Sequence, residues 1–176
     1  KMQSERKERI AAVPGRGTIL RGDGRGGNGT VGLKAGSHRL VLPAVDDCIA
    51  LLLGSRRRYL EDLEAERGTL YYTRGWLEEL GDDPYQEYLK AISRLGEAKA
   101  RKAALRIMRG YTRFAIIDTG AYDVAACRRR VEKAAAFFQT KTDVIPGDLR
   151  LMNELISGQW GAEFIVVEPG AVVEET

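Results

Sequence analysis

The stretch Thr18-Ile19-Leu20-Arg21-Gly22-Asp23-Gly24-Arg25-Gly26-Gly27-Asn28-Gly29 sets a short apolar run directly before a glycine-rich turn. A second run, Arg39-Leu40-Val41-Leu42, stops at Pro43 and leads through Asp46-Asp47-Cys48 into apolar residues at Ile49, Leu52, Leu53, Leu60 and Leu63. Short apolar runs closed by Gly or Pro read as strands, and apolar residues three and four apart read as a helix face. The rest of the chain repeats the alternation. Strands are predicted at 69–73, 114–117, 143–145 and 164–167. Helices are predicted at 30–35, from Cys48 with a break or kink at Gly54-Ser55, as one long element from Pro84 to Gly110, after Asp123, and over 149–156 with Asp148 as its cap.

Alternating strands and amphipathic helices imply βαβ units. The expected fold is therefore a single α/β domain over 15–176, with a mostly parallel sheet covered by helices on both faces in a Rossmann-like three-layer arrangement. Residues 1–14 form a charged N-terminal helix or frayed arm. Right-handed crossovers bring the loops that follow the strands to one sheet edge, where open sheets bind ligands. Those loops hold Gly22 to Gly29, Pro43 to Cys48, Asp118 to Tyr122 and Pro146 to Asp148.

Composition narrows the chemistry. The chain has 176 residues, 44% hydrophobic and 30% charged, with 28 Lys and Arg against 25 Asp and Glu. That balance argues against a dedicated nucleic-acid binder. No apolar stretch reaches the ~18 residues of a membrane span, and the charged N-terminus lacks the apolar core of a signal peptide. Two cysteines, Cys48 and Cys127, make neither a disulfide framework nor a zinc pattern, so a reducing cytoplasm is the expected compartment. His38 is the single histidine, which rules out a two-histidine metal site within one chain. Any general acid or base is then expected among the carboxylates, Cys48 or the lysines.

The glycine-rich loop is the strongest local signal. Gly24, Gly26, Gly27 and Asn28 are placed to hold an anionic part of a ligand with backbone N–H groups. The loop has neither the acidic partner of a dinucleotide fingerprint nor the Lys-Ser/Thr ending of an NTPase loop. The competing reading is a tight turn with close backbone packing. Asp46, Asp47 and Cys48 are the candidate catalytic residues, as base, cation ligand or nucleophile. A helix N-terminus lowers a thiol pKa, which would make Cys48 reactive. Against this, Asp47 reads equally as an N-cap and Cys48 as a small buried hydrophobe. Asp118, Thr119 and Asp148 extend the ligand-binding set, each also explicable by capping. Arg56 joins it because it falls near the apolar stripe of its helix, whereas Arg128 to Arg130 read as a solvated face. His38 is expected at the surface or an interface, Cys127 as inert core, and Tyr71, Tyr72, Trp76, Tyr85 and Tyr88 as packing.

Five motifs, in order and spacing, carry a resemblance. They are Gly22 to Gly36, Leu40 to Ser55, Tyr72-Thr73-Arg74-Gly75-Trp76, Ile117-Asp118-Thr119-Gly120 and Pro146 to Leu151. Together, over about 18–170, they resemble the family catalogued as domain of unknown function 1638. The resemblance implies an association with corrinoid-dependent methyltransferases and hence one-carbon metabolism. It also implies a cysteine where this chain has Gly26, a histidine where it has Asp46, and a further N-terminal strand with a cysteine that is not expected here. Cysteines meeting on one edge would suggest a metal or iron–sulfur cluster. Cys48 alone remains of that set, so a corrinoid or a metal stays open as cofactor and a cluster is not expected.

The expected function is a cytoplasmic protein that binds a small molecule or cofactor in corrinoid-dependent methyl transfer. Two alternatives stand beside it. One is a non-catalytic accessory or assembly protein whose Tyr85 to Met108 helix docks on a methyltransferase or corrinoid protein. The other is a metal-dependent hydrolase using Asp46, Asp118 and Asp148. Homo-oligomerisation is left open, and neither nucleic acid nor membrane is expected as partner.

Overall fold

The computed structural model describes residues 9–25, 30–80 and 83–174. Elements run in the order β1 (Thr18–Leu20), β2 (Arg39–Pro43), α1 (Cys48–Leu52), α2 (Arg56–Ala65), β3 (Thr69–Tyr72), a π-helical turn (Trp76–Leu80), α3 (Pro84–Leu95), α4 (Glu97–Ile107), β4 (Arg113–Asp118), α5 (Val124–Phe138), β5 (Lys141–Pro146), α6 (Arg150–Ser157) and β6 (Phe164–Val167). The chain is a mixed α/β protein. Its strands form two three-stranded sheets in place of the one sheet expected, ordered β1-β2-β6 and β3-β4-β5. The backbone divides into two compact units, Lys1–Tyr59 with Asp148–Thr176, and Leu60–Gly147.

In the first unit β1 runs parallel to β2, with Ile19 opposite Leu40. β6 runs antiparallel to β2, with Leu40 opposite Val167 and Pro43 opposite Phe164. Successive side chains of a strand point to opposite faces, so β2 serves two cores. Leu40 and Leu42 pack with Ile10, Leu33, Ala35, Val167 and Val173. Val41 packs with Val45, Ala50, Leu51, Leu151, Leu155 and Phe164. All three β2 residues are fully buried, and each such burial stabilises by roughly 1.5–3 kcal/mol.

Residues 30–35 do not form the expected helix. Leu33 and Ala35, two apart, are both fully buried, which is the spacing of extended chain. The backbone pairs with the C-terminal segment instead. Gly32 donates to Val173 at 2.9 Å, Ala35 to Ala171 at 3.0 Å, and Val173 back to Leu33 at 2.9 Å. His38 is also corrected. It is 4% exposed, and its Nε2 lies 3.0 Å from the Val13 carbonyl oxygen. At the N-terminus residues 9–11 are helical, and Ile10 is buried in the Leu40 core.

In the second unit β3, β4 and β5 are all parallel, with Phe114 opposite Leu70 and Thr142. Phe114 and Ile116 face a core shared with Tyr72, Tyr88, Ala104, Val131 and Phe138. The amino-terminal edge of this sheet is tied by charge. Arg113, 7% exposed, donates to Thr69 Oγ1 at 2.9 Å and pairs with Asp62, which also accepts from the Tyr71 hydroxyl at 2.6 Å. Glu66 pairs with Lys141 and accepts from Thr112 Oγ1 at 2.8 Å.

The expected Pro84–Gly110 helix is two helices. Gly96 has φ +75° and ψ 156°, a conformation open to glycine alone, and it ends α3 where α4 begins. The helical spacing of apolar residues continues across the break, so periodicity by itself does not show it. Among the described residues no helix is long and apolar enough to cross a membrane.

Candidate functional site

The candidate site of the first unit is built where β1 and β2 end. Asp47 has extended backbone, and its Oδ1 accepts from the N–H groups of Ile49 and Ala50 at 2.9 and 3.1 Å. That is N-cap geometry, and it starts α1 at Cys48. Gly54, at φ +84°, then separates α1 from α2, as the Gly54-Ser55 pair suggested.

Among the described glycines of its loop, Gly24 cannot be replaced cheaply. A Cβ there would stand 2.5 Å from the Val45 carbonyl oxygen and 3.1 Å from the Asp47 nitrogen. The close approach lets the Arg25 N–H donate to Val45 at 2.7 Å, which holds the loop against the Asp47 turn. Gly22 is under no such demand, since its nearest neighbour is the Met152 methyl at 3.5 Å. Gly26, Gly27 and Asn28 lie outside the described residues.

Polar side chains gather around this turn. Arg21 pairs with Asp23, and its side chain is only 10% exposed. Its Nη1 is buried with no acceptor among the described residues. Asp46 pairs with Arg56 at 2.8 Å, both of them partly exposed, so Arg56 neutralises a carboxylate at the solvent boundary. Burial pushes the Tyr59 phenol above its usual pKa, and the neighbouring Asp47, to which it hydrogen-bonds, adds to the shift. Cys48 is exposed and free. Desolvation, with Asp47 and then Asp23 as further causes, raises its thiol pKa. Burial is the largest of these causes, so the shift runs opposite to the one that the start of a five-residue helix would give by itself.

The remaining candidates are held by local hydrogen bonds. Asp148 Oδ1 accepts from the Arg150 N–H at 2.8 Å at the start of α6, in the first unit. Asp118 belongs to the second unit, where its Oδ1 accepts from the Gly120 N–H at 2.9 Å, with Thr119 half-buried between them. Among the described residues no three His, Cys, Asp or Glu side chains form a group able to hold a metal ion.

The second unit has a feature that the motifs did not signal. A cavity of about 260 Å³ lies beside the first turns of α5, lined by Arg74, Leu77, Glu78, Asp123, Cys127 and Arg130. Arg130 is part of an internal clamp and not of a solvated face. It donates to the Leu77 carbonyl at 2.7 Å and pairs at 3.2 Å with Asp83, whose side chain is 1% exposed. A run of three arginines does not reveal which one turns inward. The helical phase of Cys127 and Val131 was the available signal, since Arg130 sits beside that buried stripe.

A mixed α/β protein with a polar cluster at its strand ends is thus the class that fold and site define. The chain belongs to the family described as protein of unknown function (DUF1638), whose model matches residues 1–156. No curated protein and no solved structure matches it.

Proposed function

We propose that the protein binds an anionic small molecule or cofactor at the carboxyl ends of β1 and β2. The observation that carries this reading is Arg21, a guanidinium nine-tenths buried whose Nη1 has no acceptor among the described residues. A buried donor without a partner costs roughly 1–3 kcal/mol, more when charged, and an anion would offset that cost. Gly24 supports the reading by bringing backbone close to the Asp47 turn, and Asp23, Asp47 and Tyr59 supply orienting groups. Cys48, with its raised pKa, contributes a neutral thiol and not a thiolate.

The setting we propose is cytoplasmic, corrinoid-dependent one-carbon metabolism, with a methyltransferase or corrinoid protein nearby. Resemblance to the family and the free cysteines support it. We also read the parallel β3-β4-β5 sheet, with α5 packed on β4 and β5, as Rossmann-like in type. The metal-dependent hydrolase reading draws no support from the carboxylates, since Asp46, Asp118 and Asp148 each serve a local ion pair or turn.

The test is native mass spectrometry and absorbance spectroscopy of protein purified without oxygen. A small molecule should accompany the wild-type chain and be lost from Arg21→Met and Gly24→Val. A corrinoid spectrum would support the metabolic setting. Identical ligand-free spectra for all three proteins would overturn the reading.

A further inference from the structure

We propose that the α3–α4 hairpin is a docking surface for an acidic amphipathic helix on a partner protein. This inference concerns the second unit and is independent of the ligand reading above. Between the two helices lies a groove of about 440 Å³, with Tyr88, Ala100, Ala104 and Met108 as its buried floor. Its rim is apolar and open. Leu95 is 48% exposed, and Ile107, at 76%, is the most exposed large hydrophobic residue described. The alanines of α4 would let a third helix come close, and a groove between two helices is a standard receptor for a helix that inserts apolar side chains. The eleven residues of α4 span about 16 Å, so the surface matches roughly three turns of a partner.

Charge selects the partner. From Arg94 to Arg109 the chain carries six cations (Arg94, Lys99, Arg101, Lys102, Arg106 and Arg109) against one acid, Glu97. The segment is therefore +5, more than the +3 of the whole chain. Arg101 is engaged, its guanidinium lying 4.8 Å from the Phe137 ring centre. Among the described residues Arg94, Lys99 and Arg106 form no ion pair, whereas the α3 pair Lys90 and Glu87 lies 2.7 Å apart. Lys99 and Arg106 are seven apart, two helical turns, and fall on the flank of α4 next to Ala103 and Ile107. An apolar groove with unpaired cations along its bank complements a helix whose leucine stripe is bordered by carboxylates. Such flanking charges chiefly set the choice of partner and the rate of encounter.

The experiment uses the full chain and two fluorescent helix-forming peptides with leucines at i, i+3, i+4 and i+7. One peptide carries glutamates on both flanks and the other carries lysines. Anisotropy should show binding of the glutamate peptide, weakened by added salt, and about tenfold or greater preference over the lysine peptide. Ile107→Glu should lower that affinity about tenfold or more, and Lys99→Glu with Arg106→Glu should abolish the preference. Both sites are exposed, and circular dichroism checks that the variants stay folded. Equal binding of the two peptides, or none of the glutamate peptide, would overturn the proposal. So would dimerisation of the chain that Ile107→Glu removes, or binding of phosphatidylglycerol vesicles that the glutamate peptide does not displace.

Discussion

Arg150 donates from Nη2 to the carbonyl oxygen of Gly54 at 2.8 Å, joining the start of α6 to the turn between α1 and α2. The same guanidinium pairs with Glu154 at 2.9 Å and Glu163 at 2.7 Å, and those carboxylates hold its pKa above the ordinary arginine value. Asp148 reinforces the junction by donating its N–H to the Leu52 carbonyl at 2.8 Å. Residues nearly a hundred positions apart thereby fix the helix that begins at Cys48.

Gly54 is the weak point of this junction. Its φ is +84°, and an added Cβ would fall 2.6 Å from the Asp148 Cβ. Gly54→Ala should cost about 1–3 kcal/mol from backbone strain alone, with the collision adding to it. Urea denaturation would register the loss, and an unchanged midpoint would contradict the geometry.

Cys48 should alkylate slowly at neutral pH although it is exposed, because its thiol pKa is raised. Asp47→Asn removes a neighbouring charge and keeps a good N-cap residue. The variant should react faster with iodoacetamide at neutral pH and lose little helix stability. Rates measured across pH should show the Cys48 profile moving to lower pH in the variant.

Asp62 is the nearest counter-ion of the buried Arg113 and accepts from the Tyr71 hydroxyl. Asp62→Ala leaves a guanidinium that is 9% exposed with only the longer pairs to Glu66 at 3.9 Å and Asp143 at 3.8 Å. Removing one partner of a buried pair that has no other counter-ion typically costs about 3–5 kcal/mol, so this variant should lose stability by less than that. Equilibrium unfolding measures it directly.

Glu66 links acid pH to stability. Hydrogen bonds from Lys141 and then Thr112 hold its carboxyl below the ordinary value of 4.5. A carboxylate with a depressed folded-state pKa contributes stability above its unfolded pKa and loses it as pH falls through the folded value. Wild type should therefore lose stability on the acid side of 4.5, and Glu66→Gln should show a shallower decline there. Parallel acid titrations of the two proteins by circular dichroism would show the difference.

Local signals in the chain are legible where short-range physics decides them. Asp47 and Asp123 cap helices because a side-chain carboxylate one residue outside a helix meets free N–H groups. Cys127 and Val131 are buried at helical spacing, and Gly54 divides its helix. The break at Gly96 is not legible in the sequence, since apolar periodicity continues through it. Within the candidate site Asp47 and Gly24 were legible by residue type. The buried Arg21 and the Tyr59 phenol were not, because nothing in their sequence neighbours shows what lies beside them.

By itself the sequence determined most element types, most strand positions, the caps at Asp47 and Asp123 and the excess of positive charge on α4, all of which depend on residues a few positions apart, whereas the expected Asp148 cap is replaced by Leu149 with no side-chain cap bond. Tertiary structure decided that β2 takes β6 as an antiparallel neighbour, that 32–35 pairs with 171–173, that His38 is buried, and that burial pushes the Cys48 thiol pKa up. Those outcomes follow from contacts between distant segments, where burial and neighbouring charge override what local periodicity and propensity favour.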